Sequence, residues 1–161
     1  MESLFPTAAR VAELLKVRQE TVAVAESSSG GLVSAALLAV PGASAYYQGG
    51  AVVYTQRARV ALLGLTPDAM AGIRSSTEPY AQLLARTVRE RFSASWGVAE
   101  TGAAGPTGNS YGDAPGHTCV AVSGPVERVM TVETSSADRS ANMRSFAAAL
   151  LQLLAEVLDA R

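Results

Sequence analysis

The stretch Thr21–Gly31, TVAVAESSSGG, decides how this chain folds. Small apolar residues over Thr21–Ala25 predict a buried strand, and an acid, three hydroxyls and two glycines follow it. The apolar run Leu32–Val40 comes next and predicts a helix buried on more than one side. Strand, tight polar turn and helix start, in that order, form the place where α/β proteins hold anions or reacting groups. Ser27, Ser28 and Ser29 are therefore the first candidates for a site, with Ser27, just past the strand end, aimed at a crevice. The competing reading has Ser28 or Ser29 capping the helix, with Gly30 and Gly31 only turning the chain. The motif is not a P-loop, since Gly-Lys-Ser is missing, and not a Gly-x-Ser-x-Gly nucleophile elbow.

Working outward, Pro6–Arg18 carries apolar residues at Ala8, Val11, Leu14 and Leu15, a helical period opened by Pro6. Pro41-Gly42 stops the helix that follows the serine turn. Gln48–Tyr54 reads as a strand, Arg57–Leu63 as a short helix stopped by Gly64, and Thr66-Pro67-Asp68 as the start of another helical turn. Glu78–Phe92 is an amphipathic helix with Ala81, Leu84, Ala85 and Val88 inward, preceded by a cap in Ser75-Ser76-Thr77-Glu78. Ser95–Glu100 is a third strand, and Thr118–Val122 with Val126–Glu133 form a hairpin around Ser123-Gly124-Pro125. Ser136 or Asp138 caps a last helix whose stripe includes Phe146, Leu150, Leu154 and Leu158. Strands and helices alternate first and a hairpin comes late. A mixed sheet covered by helices, a three-layer α/β/α arrangement, fits that order, as one domain over residues 1–161. The long irregular segment Gly102–Gly116 is expected either to border a site or to be partly mobile.

The composition narrows the classes. Hydrophobic residues make up 48% of the 161 and charged residues 17%, so part of the apolar excess is expected to lie against a second copy, as a homodimer. A net charge of −1 argues against a non-specific grip on nucleic acid. The single cysteine, Cys119, leaves no internal disulfide and suits a reducing, cytoplasmic setting. Leu32–Val40 is too short to span a bilayer, and no membrane association is expected. With one histidine, His117, and scattered acids, no zinc or calcium ligand set is visible, and neither metal nor cofactor is expected.

Two further segments could carry chemistry. Thr101-Gly102-Ala103-Ala104-Gly105-Pro106-Thr107-Gly108-Asn109 follows a strand, as the serine turn does, and Glu100 stands at its strand end as Glu26 stands at the other. Two such turns can face each other across one crevice, although a flexible loop would use the same glycines. Tyr54-Thr55-Gln56-Arg57-Ala58-Arg59 places a phenol at a strand end and a guanidinium on the next helix. Arg59 there either meets a carboxylate or phosphate or lies solvated on the surface. Asp138 and Arg139 at the head of the last helix are either cap and ion pair or ligand contacts.

Together these segments resemble the C-terminal domain of the competence/damage-inducible CinA proteins, which also occurs as a stand-alone nicotinamide-nucleotide amidase. The family's Ala-Glu-Ser-Cys-Thr-Gly-Gly falls on Ala25-Glu26-Ser27-Ser28-Ser29-Gly30-Gly31. Its Tyr-Ser/Thr-Asn-x-Ala-Lys, then Leu-Leu-Gly, falls on Tyr54 through Arg59 and Leu62-Leu63-Gly64. Its Thr-Gly-Ile-Ala-Gly-Pro-Gly-Gly matches Thr101 through Gly108, and its Gly-Asp-Arg matches Ala137-Asp138-Arg139, with Arg144 trailing.

The resemblance implies hydrolysis of nicotinamide mononucleotide, or a related amide, to nicotinic acid mononucleotide and ammonia. It makes Ser27 the nucleophile, with Tyr54 and the position of Arg59 completing a Ser–Tyr–Lys-like centre. It assigns substrate contacts to Glu26, Ser28, Ser29, Gly30, Gly31, Thr101, Gly102, Gly105, Asp138 and Arg139. Ser29 and the N–H groups near Gly30 would hold the oxyanion. One departure matters chemically: where the family has lysine this chain has Arg59, and a guanidinium keeps its proton and cannot act as a general base. That substitution opens the alternative of a member that binds a nucleotide without hydrolysing it.

Overall fold

The computed structural model describes residues 2–161. In chain order its elements are α1 (Phe5–Arg18), β1 (Val22–Glu26), α2 (Leu32–Leu38), β2 (Tyr47–Val52), α3 (Gln56–Leu63), α4 (Glu78–Arg91), β3 (Trp96–Ala103), β4 (His117–Ser123), β5 (Arg128–Glu133) and α5 (Arg139–Asp159). Short 3-10 turns lie at Ala43–Ala45 and Asp68–Met70. The strands form one sheet in the order β2-β1-β3-β4-β5. β1 pairs in parallel with both β2 and β3, while β3–β4 and β4–β5 are antiparallel. This is the mixed α/β sheet that the alternation of elements predicts.

Residue size divides the two faces. Val22, Val24, Trp96, Val98, Val120 and Val122 pack against α1, α2 and α5. Ala23, Ala25, Ala99, Cys119 and Ala121 face the other way, toward α4. Small side chains on that second face let α4 come close: a Cβ placed on Gly97 would lie 2.0 Å from the Ala85 carbonyl oxygen. Helices on both faces give three layers, and each face closes its own apolar core.

Connections out of β1 and β2 leave toward opposite faces. The chain goes from β1 through α2 to its neighbour β2, then returns through α3 and α4 across β1 to β3. A crevice therefore opens at the carboxyl ends of β2, β1 and β3, where open α/β sheets bind ligands. One expectation needs correction here. β3 runs on to Ala103, so Gly102 and Ala103 are strand residues paired with Thr118 and His117, and the irregular segment is 104–116. The cross-strand partner, and not the glycine-rich composition, sets where that strand ends.

Candidate active site

The serine turn is held from beneath by two buried carboxylates. Glu26 ends β1 and Glu100 lies within the adjacent parallel β3, each one step past the Ala25–Ala99 pair, and both are fully buried. Glu26 accepts from the Ser29 hydroxyl at 2.8 Å and from the Gly31, Val33 and Ser34 N–H groups at 3.0, 3.0 and 2.8 Å. The Ser34 hydroxyl adds a fifth bond at 2.8 Å. Glu26 is thus the cap of α2, supplied from the preceding strand. Gly31 occupies the N-cap position at φ +96°, with no side-chain cap of its own. Glu100 accepts from the Ser27 and Ser29 N–H groups at 3.1 and 2.8 Å and from the Ser28 and Thr118 hydroxyls at 2.5 and 3.0 Å.

This pinning corrects several site assignments. Glu26 lines neither of the two cavities at the strand ends. The Ser29 hydroxyl is spent on Glu26 and its residue is fully buried, so it is not an oxyanion donor. The Gly30 N–H donates to the Ser27 carbonyl at 3.2 Å, and the Gly31 N–H to Glu26. Within Ser27–Leu32 only the Ser28 N–H has no acceptor among the described residues. Neither serine caps α2, because a strand-end glutamate reaches its N–H groups first.

Above the turn lies a cavity of about 290 Å³. Ser27 opens onto it from the end of β1, and Thr101 and Gly102 from the end of β3. Val53, Tyr54, Thr55, Gln56 and Arg59 form the wall that follows β2, and Ser75, Ser76, Tyr80, Asn109 and Tyr111 close the far side. Three segments widely separated in sequence, carrying Ser27, Tyr54 with Arg59, and Thr101 with Gly102, therefore meet. The Thr101 hydroxyl accepts from the Ser76 N–H at 3.2 Å, which ties the far wall to β3.

A smaller cavity of about 220 Å³ adjoins it, with Tyr54, Gly102 and Asn109 lining both. Ser28, Gly105 and Arg139 line the second cavity. Arg139 donates to the Gly105 carbonyl at 2.6 Å and to Tyr54 Oη at 3.1 Å. Tyr54 is 58% exposed, and Arg139 gives its hydroxyl the only hydrogen bond among the described residues. Asp138, in contrast, lines neither cavity. Its carboxylate accepts from the Ala141 N–H at 3.0 Å as the N-cap of α5. That N–H, with the Ser140 hydroxyl next, holds the Asp138 carboxyl below its ordinary range.

The segment 102–116, expected to border a site, does so through Gly102, Asn109 and Tyr111, but the clasp that fixes it was not legible from sequence. Arg74 donates to both oxygens of Asp113 at 2.7 and 3.1 Å, and Asn109 Nδ2 donates to Asp113 at 2.8 Å. The Arg74 guanidinium also lies 5.3 Å from the centre of the Tyr111 ring. This clasp joins the segment before α4 to the 104–116 loop and sets Asn109 and Tyr111 over the cavity. The Arg74 bond brings the Asp113 carboxyl down to about 2; burial opposes the shift, and Asn109 and His117 assist it. His117 is buried, and its ring contacts Glu133 and the Ser76 carbonyl. Burial resists protonation of His117, but those two acceptors outweigh it and raise the pKa. Its contact holds the carbonyl of a cavity-wall residue. Cys119 is buried in β4.

Among the described residues no helix is long and apolar enough to cross a membrane. The chain is similar to solved structures in two respects, fold and coverage. It superposes on a CinA superfamily protein from Klebsiella pneumoniae at TM-score 0.90 and 24% identity, covering 98% of this chain and 99% of that one. The competence/damage inducible protein CihA from Agrobacterium tumefaciens matches at TM-score 0.88 and 25% identity, over 97% and 95% of the two chains. Sequence relatives are nearer. A CinA-like protein of Prochlorococcus marinus is 41% identical over 115 residues, 71% of this chain and 27% of that protein. One from Chlorobium limicola is 42% identical over 115 residues, again 71% and 27%. The chain thus spans about a quarter of the length of these relatives. The CinA C-terminal domain model matches residues 5–158, nearly the full length, and the chain belongs to that family.

Proposed function

We propose that the cavity above the serine turn is the active centre of a cytoplasmic amidohydrolase that takes nicotinamide mononucleotide or a related pyridine amide. The carrying observation is that Ser27, Tyr54 and Arg59 line one small cavity at the carboxyl ends of the parallel strands. Ser27 is the one serine of the turn suited to attack. The hydroxyls of Ser28 and Ser29 are held by buried carboxylates, while Ser27 Oγ has no hydrogen bond among the described residues.

In this reading Ser27 Oγ adds to the amide carbonyl, and the carbon–nitrogen bond breaks to leave an ester on Ser27. The serine proton ends on the departing nitrogen, so ammonia leaves. Water then cleaves the ester to the carboxylic acid and restores the hydroxyl. Tyr54 Oη relays the proton, since a guanidinium at position 59 cannot accept one. The Ser28 N–H, left without an acceptor, is the donor available to the oxyanion, as the amide after a nucleophile is in other serine hydrolases. The same reading makes the working protein a homodimer.

A second reading, nucleotide binding without hydrolysis, draws support from Arg59 itself: losing effective base catalysis lowers a rate by ~10²–10⁴-fold. Ammonia release from a panel of pyridine amides, nicotinamide mononucleotide included, separates the two. Turnover by the native chain, with Ser27→Ala at background and its melting temperature unchanged, supports hydrolysis. Saturable binding with no ammonia from any amide supports the second reading and defeats the first.

A further inference from the structure

Arg59 is a buried cation with no anion to match it among the described residues. The residue is only 9% exposed, and its Nε lies buried without a hydrogen-bond partner. Among the described residues its side chain makes one hydrogen bond, a long one from Nη1 to Tyr80 Oη at 3.5 Å, and the guanidinium sits 5.6 Å from the centre of the same ring. Arg10, Arg74, Arg86 and Arg161 each meet a carboxylate, and Arg18, which also buries one unpartnered nitrogen, donates to the Leu158 carbonyl at 2.5 Å and lies away from the cavity. Among the described residues no Asp or Glu lines the cavity that Arg59 faces; its walls are hydroxyls, amides, backbone, tyrosine rings and Val53, all neutral.

Burying a charge without a partner is unfavourable, and native structures keep one only where something offsets the cost. The contacts with Tyr80 offset part of it, but they leave Nε unused. A guanidinium fork matches a carboxylate or phosphate with two parallel hydrogen bonds, which neither Tyr80 nor the neutral walls can provide. We propose that Arg59 anchors an anion subsite, so that this cavity takes a small molecule carrying a carboxylate or phosphate group at its Arg59 end. The subsite holds for a ligand that is hydrolysed and equally for one that is only bound.

Calorimetric titration of the native chain with inorganic phosphate, and separately with nicotinate as a planar carboxylate, tests the subsite and tells the two anion sources apart. One of the two probes binds saturably, Arg59→Met weakens it by at least about tenfold, and Arg59→Lys keeps part of the affinity. Arg86→Met, on the surface, leaves binding unchanged. Without ligand, Arg59→Met melts higher, by about 2–4 °C for each kcal/mol of burial cost removed, and the anion raises the melting temperature of the native chain alone. Binding by neither probe, binding that survives in Arg59→Met, or a lower melting temperature of that variant overturns the proposal. Anion binding without ammonia release leaves the subsite standing and removes only the hydrolase reading.

Discussion

Glu26 and Glu100 lie beneath the serine turn, and Arg59 lies beside the cavity above it. All three are ionisable side chains buried at the carboxyl ends of the same sheet, yet their surroundings differ in kind. Each carboxylate receives four or more hydrogen bonds, most of them from groups that helix and strand geometry place there anyway. Arg59 has one long bond and an unpartnered nitrogen. The carboxylates are completed by the fold and belong to its architecture. The guanidinium is incomplete without something from outside, and that asymmetry marks which side of the turn faces a ligand.

The contrast can be broken most severely at Glu100. Replacing it by Ala strips the acceptor from two backbone N–H groups and the Ser28 hydroxyl, leaving Thr118 only the Thr101 carbonyl, and urea unfolding is expected to report a loss of about 3–5 kcal/mol. A neutral outcome would put Glu100 in the same class as Arg59 and erase the distinction. The expected sign at Arg59 is opposite, as the melting behaviour of Arg59→Met tests.

A smaller effect sits at the rim, where both partners are present. The Asp113 carboxyl is lowered to about 2 from an ordinary 3.8, chiefly by its bonds with Arg74. A depressed carboxyl adds stability above the unfolded value, and that contribution disappears as pH falls from about 3.8 through about 2. Because Arg74 is 42% exposed, the expected share is about 1 kcal/mol. Comparing acid unfolding of the native chain and Asp113→Asn between pH 5 and pH 2, both approximate limits, checks it: the variant loses less stability on acidification. Parallel curves would mean that the Arg74–Asp113 clasp contributes nothing.

Much of the fold was legible because its signals are local. Thr21–Ala25 alternates small residues that suit a strand buried on both faces, and Asp138 sits where a helix needs a cap. The three cavity-forming segments were also legible, through motif spacing. What escaped depends on which side chains pair, whether a few residues apart or far along the chain. Nothing near Glu26 in sequence says that its carboxylate turns back to cap α2 and takes the Ser29 hydroxyl with it. The partnership of Arg74 with Asp113 spans 39 residues, so Ser75 and Ser76, read only as a helix cap, could not be placed on the cavity by local reading. β3 gained Thr101, Gly102 and Ala103 because β4 pairs with them, against the low strand preference of glycine.

The central claim is that Ser27, alone in the turn, performs covalent chemistry on an amide. Rapid quenching of the native chain with nicotinamide mononucleotide, followed by peptide mass spectrometry, tests it directly. An acyl group on the peptide containing Ser27, appearing before the acid product accumulates and absent from Ser27→Ala, is the expected result. Ammonia released by Ser27→Ala at the native rate would contradict the claim.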